Sequence, residues 1–295
     1  MDLITLHLKL AMKKPGCPLC RLQQDTAERY ITGLLHENVN DMTIRTHLAH
    51  SLGLCPEHAW QLEAIELDNW HNGLGTTIIY NDLTARVLAA VAEFSTRHHR
   101  PDPPAVTPAE KLRRRLQSWG VIGRRFAELL PRPRPGRTLL TAITPREPCR
   151  VCETVHRSNE TYVLWLARAL TDPDFQALYA ASDGVCLPHL RQFLAVAESP
   201  AAVDFLVTDS RRRLETMHHR LSEYDRKQKW ENHTETVSPQ EEAAWARVIA
   251  FFAGEAPAAP SLRVQKARAV ALRLNTRQKE TDAPPVAHPL NGSSR

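Results

Sequence analysis

The chain writes one pattern of cysteine and histidine twice. Cys17, Cys20, Cys55 and His58 form a C-x2-C followed by a C-x2-H, and Cys149, Cys152, Cys186 and His189 repeat it. All six cysteines of the 295-residue sequence fall in these stretches. The C-x2-C pairs are 132 residues apart and the C-x2-H pairs 131. Neighbouring residues keep the same offsets: Glu28 and Tyr30 fall on Glu160 and Tyr162, while Ser51, Gly53 and Gln61 fall on Ser182, Gly184 and Gln192. Such self-similarity marks an internal duplication, with one residue lost between the halves of the motif.

Three thiolates and one imidazole are a standard tetrahedral set for structural zinc. A C-x2-C loop supplies two donors, and a C-x2-H must return to the same place. A helix from Cys20 to His36 is about 25 Å long, and a second helix returning a similar distance would close the set within one copy. The expected groups are therefore Cys17, Cys20, Cys55 and His58 in the first copy and Cys149, Cys152, Cys186 and His189 in the second, with two Zn2+ per chain. Four donors close the coordination sphere and keep no position for a reactive water, so both ions are expected to be structural and no catalytic residue is assigned. Cys20 and His58 lie near expected helix N-termini, where the dipole favours thiolate. Disulfides and a Cys3His iron–sulfur cluster are alternative uses of these residues. Disulfide pairing leaves the matching histidines unexplained.

Apolar spacing predicts an all-α fold of two homologous four-helix modules, each pinned by a Cys3His site, plus a C-terminal docking helix. In the first copy the helices follow Ala27, Tyr30, Ile31, Leu34 and Leu35; then Asp41 to Gly53; then Pro56 through Trp60, Leu62 and Ile65; then Ile79, Leu83, Val87, Ala90 and Phe94. The second copy matches, with Tyr162, Val163, Leu166 and Leu170 on its first helix and a fourth helix from about 200 to 230. The boundaries are 1–98 for the first module, 99–140 for a proline-rich linker and basic helix, 141–230 for the second module, 231–254 for an amphipathic helix, and 255–295 for a tail expected to be disordered apart from a helix around Arg263 to Asn275. In the helix before Gly254, Ser238 and Glu241 form a capping box, and Trp245, Val248, Ile249 and Phe252 are expected to be buried.

The formal net charge is +5, and 30 of the 38 basic residues are arginine. The stretch 110–137 holds nine Lys or Arg against Glu110 and Glu128. Arg113, Arg114, Arg115, Arg124 and Arg125 are its candidate nucleic-acid-binding residues, although aromatics are sparse and no base-reading motif accompanies them. His47 and His50 read as a surface or packed pair, Arg211 to Arg213 as a solvated face, and Glu28 and Glu160 as a cap, ion pair or partner to the histidine ligand. No run of ~18 apolar residues suggests a membrane span, and the start lacks secretory-signal features. The cytoplasm is the expected compartment, because reduced C-x2-C pairs belong there. Phosphate-cradling glycine loops, nucleophile elbows and HExxH are absent from the sequence.

The doubled C-x2-C and C-x2-H, with the closing Trp245-x-Arg247-x-Ile249 helix, resembles an uncharacterised bacterial domain-of-unknown-function family with a duplicated helical zinc-binding module. The likeness spans roughly residues 10 to 254 and rests on the eight ligands with Pro18 and Trp245; Arg150 stands where the first copy has Pro18. It implies the fold and the metal sites, and no activity or substrate. The expected role is a non-enzymatic scaffold, adaptor or regulator with a protein partner. Nucleic-acid binding and a metal- or thiol-dependent redox enzyme are the alternatives.

Overall fold

The computed structural model describes residues 2–98, 108–117, 136–232, 234–257 and 259–270, and these form helices and turns with no strand among them. They divide into two compact units that interleave along the chain: Met1–Asn38, Cys55–Gly73 and Arg150–Arg295 make the first, Val39–Leu54 and Leu74–Cys149 the second. No helix among the described residues is long and apolar enough to cross a membrane.

The first unit begins with α1 (Leu3–Met12), capped by Asp2 and sinking Leu8, Ala11 and Met12 into the core. At the same 132-residue offset the second copy has only a six-residue helix, Arg137–Ala142, with no buried residue, so the two modules are not exact repeats. Next comes α2 (Pro18–His36), which starts at Cys17 with proline in its first turn, where a missing N–H costs nothing. The unit continues with α4 (Pro56–Trp70), then α8 (Arg150–Ala169), α9 (Pro173–Ala180), α10 (Leu187–Val196) and α11 (Pro200–Gln228). A 3-10 turn at Trp230–Asn232 leads to α12 (Pro239–Glu242) and α13 (Ala244–Ala253). The Ser238–Glu241 capping box forms as expected, but the helix is interrupted at Ala243.

The two equivalent helices α2 and α8 pack on each other. The hydroxyl of Thr26 lies 3.2 Å from that of Ser158, its own counterpart 132 residues on. Leu19 and Leu22 near the start of α2 share a core with Leu166 and Leu170 near the end of α8, so the helices run antiparallel. Tyr179, Phe193 and Leu206 from α9, α10 and α11 complete that core. Each of these side chains is at most 1 % exposed, and full burial of one contributes about 1.5–3 kcal/mol.

The second unit contains α3 (Met42–Ser51), α5 (Leu74–His98), α6 (Pro108–Gln117) and α7 (Arg137–Ala142). Asp41 caps α3 by accepting the Ile44 amide at 2.9 Å. Of the expected stripe on α5, Ile79 and Leu83 are buried, whereas Val87 is 36 % exposed. Arg124 and Arg125 of the basic stretch lie outside the described residues, and of Arg113 and Arg114 only the helical backbone of α6 is described.

One expectation is corrected here. Trp245, Ile249 and Phe252 do not form a buried face; each is more than half exposed, and α13 anchors instead through Ala244 at 1 %. Of the tail helix expected around Arg263 to Asn275, residues 262–270 are described and form α14, with Val264 fully buried. Arg268 sits 4.8 Å from the Trp60 ring and bonds Glu63 at 2.7 Å, and Ser261 donates to Asp68 at 2.6 Å. The segment is short of apolar residues, but one buried valine, one stacked guanidinium and one ion pair suffice to seat it on α4. Ending the chain at Pro257 should therefore lower the melting temperature by about 3–6 °C, the value for losing one buried valine's 1.5–3 kcal/mol in a chain of this size. A thermal melt followed by circular dichroism checks this; an unchanged midpoint would mean that α14 does not stabilise the fold.

Candidate metal centres

The S-x-G-x-C stretches build the approach to each C-x2-H. Ser51 donates to the Gly53 carbonyl at 2.8 Å, and Ser182 donates to the Tyr179 carbonyl at 2.7 Å while accepting from the Gly184 amide. The glycines adopt φ of +93° and +76°, the left-handed region that disfavours side chains. A Cβ on Gly184 would meet Arg213 Nε at 2.8 Å, so space as well as conformation requires glycine there. The cysteine that follows is the N-cap of the next helix in both copies, Cys55 for α4 and Cys186 for α10. Cys17 caps α2, and Cys149 stands one residue ahead of α8. All eight residues thus cluster at four helix N-termini, where the partial positive charge stabilises thiolates.

The eight come together as two Cys3His groups, but with the pairing exchanged. Cys17 and Cys20 meet Cys186 and His189; Cys55 and His58 meet Cys149 and Cys152. Each group takes its C-x2-C from one copy and its C-x2-H from the other, so the expectation that each copy closes its own set is overturned. The reason is length. Helices α2 and α8, of 19 and 20 residues, span about 28 and 30 Å, while α3 and α9, of 10 and 8, are only about 15 and 12 Å long. The C-x2-H is left near the far end of its own long helix. Antiparallel packing of α2 on α8 puts the other copy's C-x2-C there.

In the first group His189 Nδ1 lies 3.1 Å from Cys186 Sγ and 3.5 Å from both Cys17 and Cys20 Sγ, and Cys20 and Cys186 Sγ are 3.6 Å apart. In the second, His58 Nδ1 is 3.1 Å from Cys55 Sγ and 3.3 Å from Cys152 Sγ, with 3.6 Å between the two sulfurs. Tetrahedral zinc with 2.3 Å bonds to sulfur places its sulfurs about 3.8 Å apart. A disulfide needs ~2.05 Å. The donor spacing therefore fits one tetrahedral ion in each group.

The first group is buried, with its four residues at 7 % exposure or less. His189 Nε2 donates to Asn159 Oδ1 at 3.0 Å, and Asn159 in turn donates to Gln192 at 2.7 Å. That chain fixes the tautomer and turns the Nδ1 lone pair to the sulfurs. Its roof is the backbone after α13: the Glu255 amide donates to Cys20 Sγ at 3.5 Å, and Glu255 Oε1 accepts the Cys17 amide at 3.0 Å. Hydrogen bonds from Cys17 and Cys186 hold the Cys20 thiol far below the usual thiol range, while bonds with Cys186 and Cys20, together with burial, push Cys17 far above it. Burial works against a charged His189, yet its bonds to Cys186 and Cys20 raise it to about 9. These shared protons are what a bound cation would displace.

Asn159 and Glu255 were not singled out from the sequence. Glu160, which was, points outward and pairs with His156 at 3.3 Å; the imidazole partner is its neighbour. The first-copy counterpart of Asn159 is Ala27, so comparing the repeats hides it. His47 and His50 are more than a packed pair: both contact the Glu147 carboxylate, at 2.5 and 2.8 Å, two residues ahead of Cys149. Arg213 is not on a solvated face; it covers the end of α9. Replacing Asn159 by Ala should weaken metal binding at the first group about 10–100-fold, the usual cost of losing a bond to a ligating histidine. Competition with a chromophoric chelator reads both sites, and equal weakening of the two would show that Asn159 acts on the fold at large.

Residues 1–257 match the model of a family described as a family of unknown function (DUF6062). No curated protein and no solved structure matches the chain.

Proposed function

The chain belongs to this family of unknown function, and from that premise we propose that it is a zinc-binding helical protein, a non-enzymatic scaffold, adaptor or regulator with two structural zinc ions. The observation that carries the reading is the pair of closed Cys3His groups, each with all donor atoms within 4.8 Å of one another. Four protein donors leave no position for an activated water. The same tight spacing favours a single ion over a multi-iron cage, whose own atoms would hold the ligands farther apart. A protein partner is supported by the exposed row of Trp245, Ile249 and Phe252 on α13, since such patches serve recognition.

Elemental analysis of protein purified without added metal should return two zinc ions per chain. Iron with visible absorption would overturn the zinc reading. Retained helix content and thermal stability after complete metal removal would overturn the structural role. Nucleic-acid binding by the 110–137 stretch is the second reading, supported by the exposed Lys111 and Arg115 one turn apart on α6. Its test is a steep salt dependence of binding to DNA or RNA that flattens when Arg113, Arg114, Arg115, Arg124 and Arg125 become Gln.

A further inference from the structure

We propose that the second metal group is an oxidation-sensitive site, at which a peroxide joins Cys55 and Cys152 in a disulfide and releases the bound ion. The inference rests on the zinc reading above and on a difference between the two groups. In the first, every ligand is buried, and Gly254 and Glu255 lie against Cys20. A Cβ on Gly254 would stand only 3.4 Å from Cys20 Sγ, so the roof is in contact with the sulfur. In the second, Cys152 is exposed in the first turn of α8, and Cys55 is half-buried at the start of α4. Thiolate character and access together set the rate of oxidation. Both groups have helix N-termini to stabilise thiolate, so access separates them.

The chemistry needs only the peroxide. The Cys152 thiolate attacks one peroxide oxygen and breaks the O–O bond, giving a sulfenic acid and hydroxide. Cys55 Sγ, 3.6 Å away, then attacks that sulfur and displaces a second hydroxide. Two thiolates lose two electrons, and the peroxide gains them. With two of its four donors in a disulfide the ion is no longer held. The disulfide keeps the start of α4 joined to the start of α8, while His58 and Cys149 lose the ion that they would share with it. A dithiol reductant and zinc restore the original state.

The test uses the zinc-loaded full chain and hydrogen peroxide. Zinc release is followed with a colorimetric chelator, free thiols are blocked at intervals, and disulfides are mapped by mass spectrometry. The expected result is early loss of one of the two zinc equivalents and a first disulfide between Cys55 and Cys152. Simultaneous loss of both equivalents, or a first disulfide that excludes Cys55 or contains Cys17, Cys20 or Cys186, would overturn the proposal. No variant is needed, so misfolding cannot obscure the answer. Fewer than two zinc ions before oxidant is added would count against the zinc reading itself, and the disulfide map would still decide the oxidation step.

Discussion

A chain carrying Cys17→Ser and Cys186→Ser together is expected to keep one zinc ion, while Cys17→Ser combined with Cys55→Ser keeps none. The first pair of changes falls within one group and spares the other; the second pair cuts one donor from each. Pairing within each copy would give the reverse result, so the two double variants decide the connectivity by metal count alone. The energetic effect should be large. Metal binding at such a site acts as folding free energy, on the order of 10 kcal/mol or more, which is comparable with the whole stability of a domain, 5–15 kcal/mol. The first group joins the start of α2 to the start of α10, one from each copy. Even single variants should therefore loosen helices on both sides of the duplication, and hydrogen exchange would show it. Damage confined to one copy would contradict the exchanged pairing.

Arg213→Ala should be the most damaging change away from the ligands. Arg213 donates to the carbonyls of Ser182 at 2.7 Å, Ala180 at 3.1 Å and Tyr179 at 3.2 Å, satisfying the end of α9 just ahead of Cys186. Its Nε also bonds Asp209, whose side chain is 5 % exposed. With the guanidinium removed, Asp209 keeps only its ion pair with Arg212, and the three carbonyls lose their donor, a defect on the order of 1–3 kcal/mol. The change also frees the Ser182–Val185 corner that aims Cys186 and His189. The expected result is a lower midpoint in denaturant and weaker zinc at the first group only. Arg213→Lys keeps the charge but cannot reach three carbonyls and a carboxylate at once, so it should recover only part of the loss. A midpoint within 0.5 kcal/mol of the parent, the ordinary range for surface changes, would return Arg213 to the solvent-facing role its sequence neighbours suggest.

The ligands and the helices were legible because both are local facts. Donor type, the x2 spacing, the caps at Asp41 and Ser238 and the apolar stripes each depend on a few neighbouring residues. Pairing depends on which end of α2 meets which end of α8, a tertiary fact. Yet a clue was present: the second helices are half the length of the first, and a hairpin that turns back half-way cannot close. Periodicity also marks the residues that share a face without saying whether that face is covered, which is why Trp245, Ile249 and Phe252 read as buried and are exposed. Composition misled in the opposite direction at both ends of one argument. A run of arginines concealed one that lies over a helix end, and a polar C-terminal stretch concealed a single valine with no exposure at all.

The contact of Thr26 with Ser158 has a consequence for how such a chain can be taken apart. A residue that touches its own repeat is the mark of a dimer written on one strand. Cut between the copies, each piece would carry four donors belonging to two different polyhedra and could complete neither. The pieces would have to find each other first, and the linker spares them that search by holding the partner at an effective concentration in the millimolar range. Separately expressed halves should thus be metal-poor alone and regain both ions only on mixing, with a dependence on protein concentration that the intact chain does not show. A polypeptide with a single copy of the pattern would meet the same requirement by self-association, and its metal would sit at the interface between two molecules.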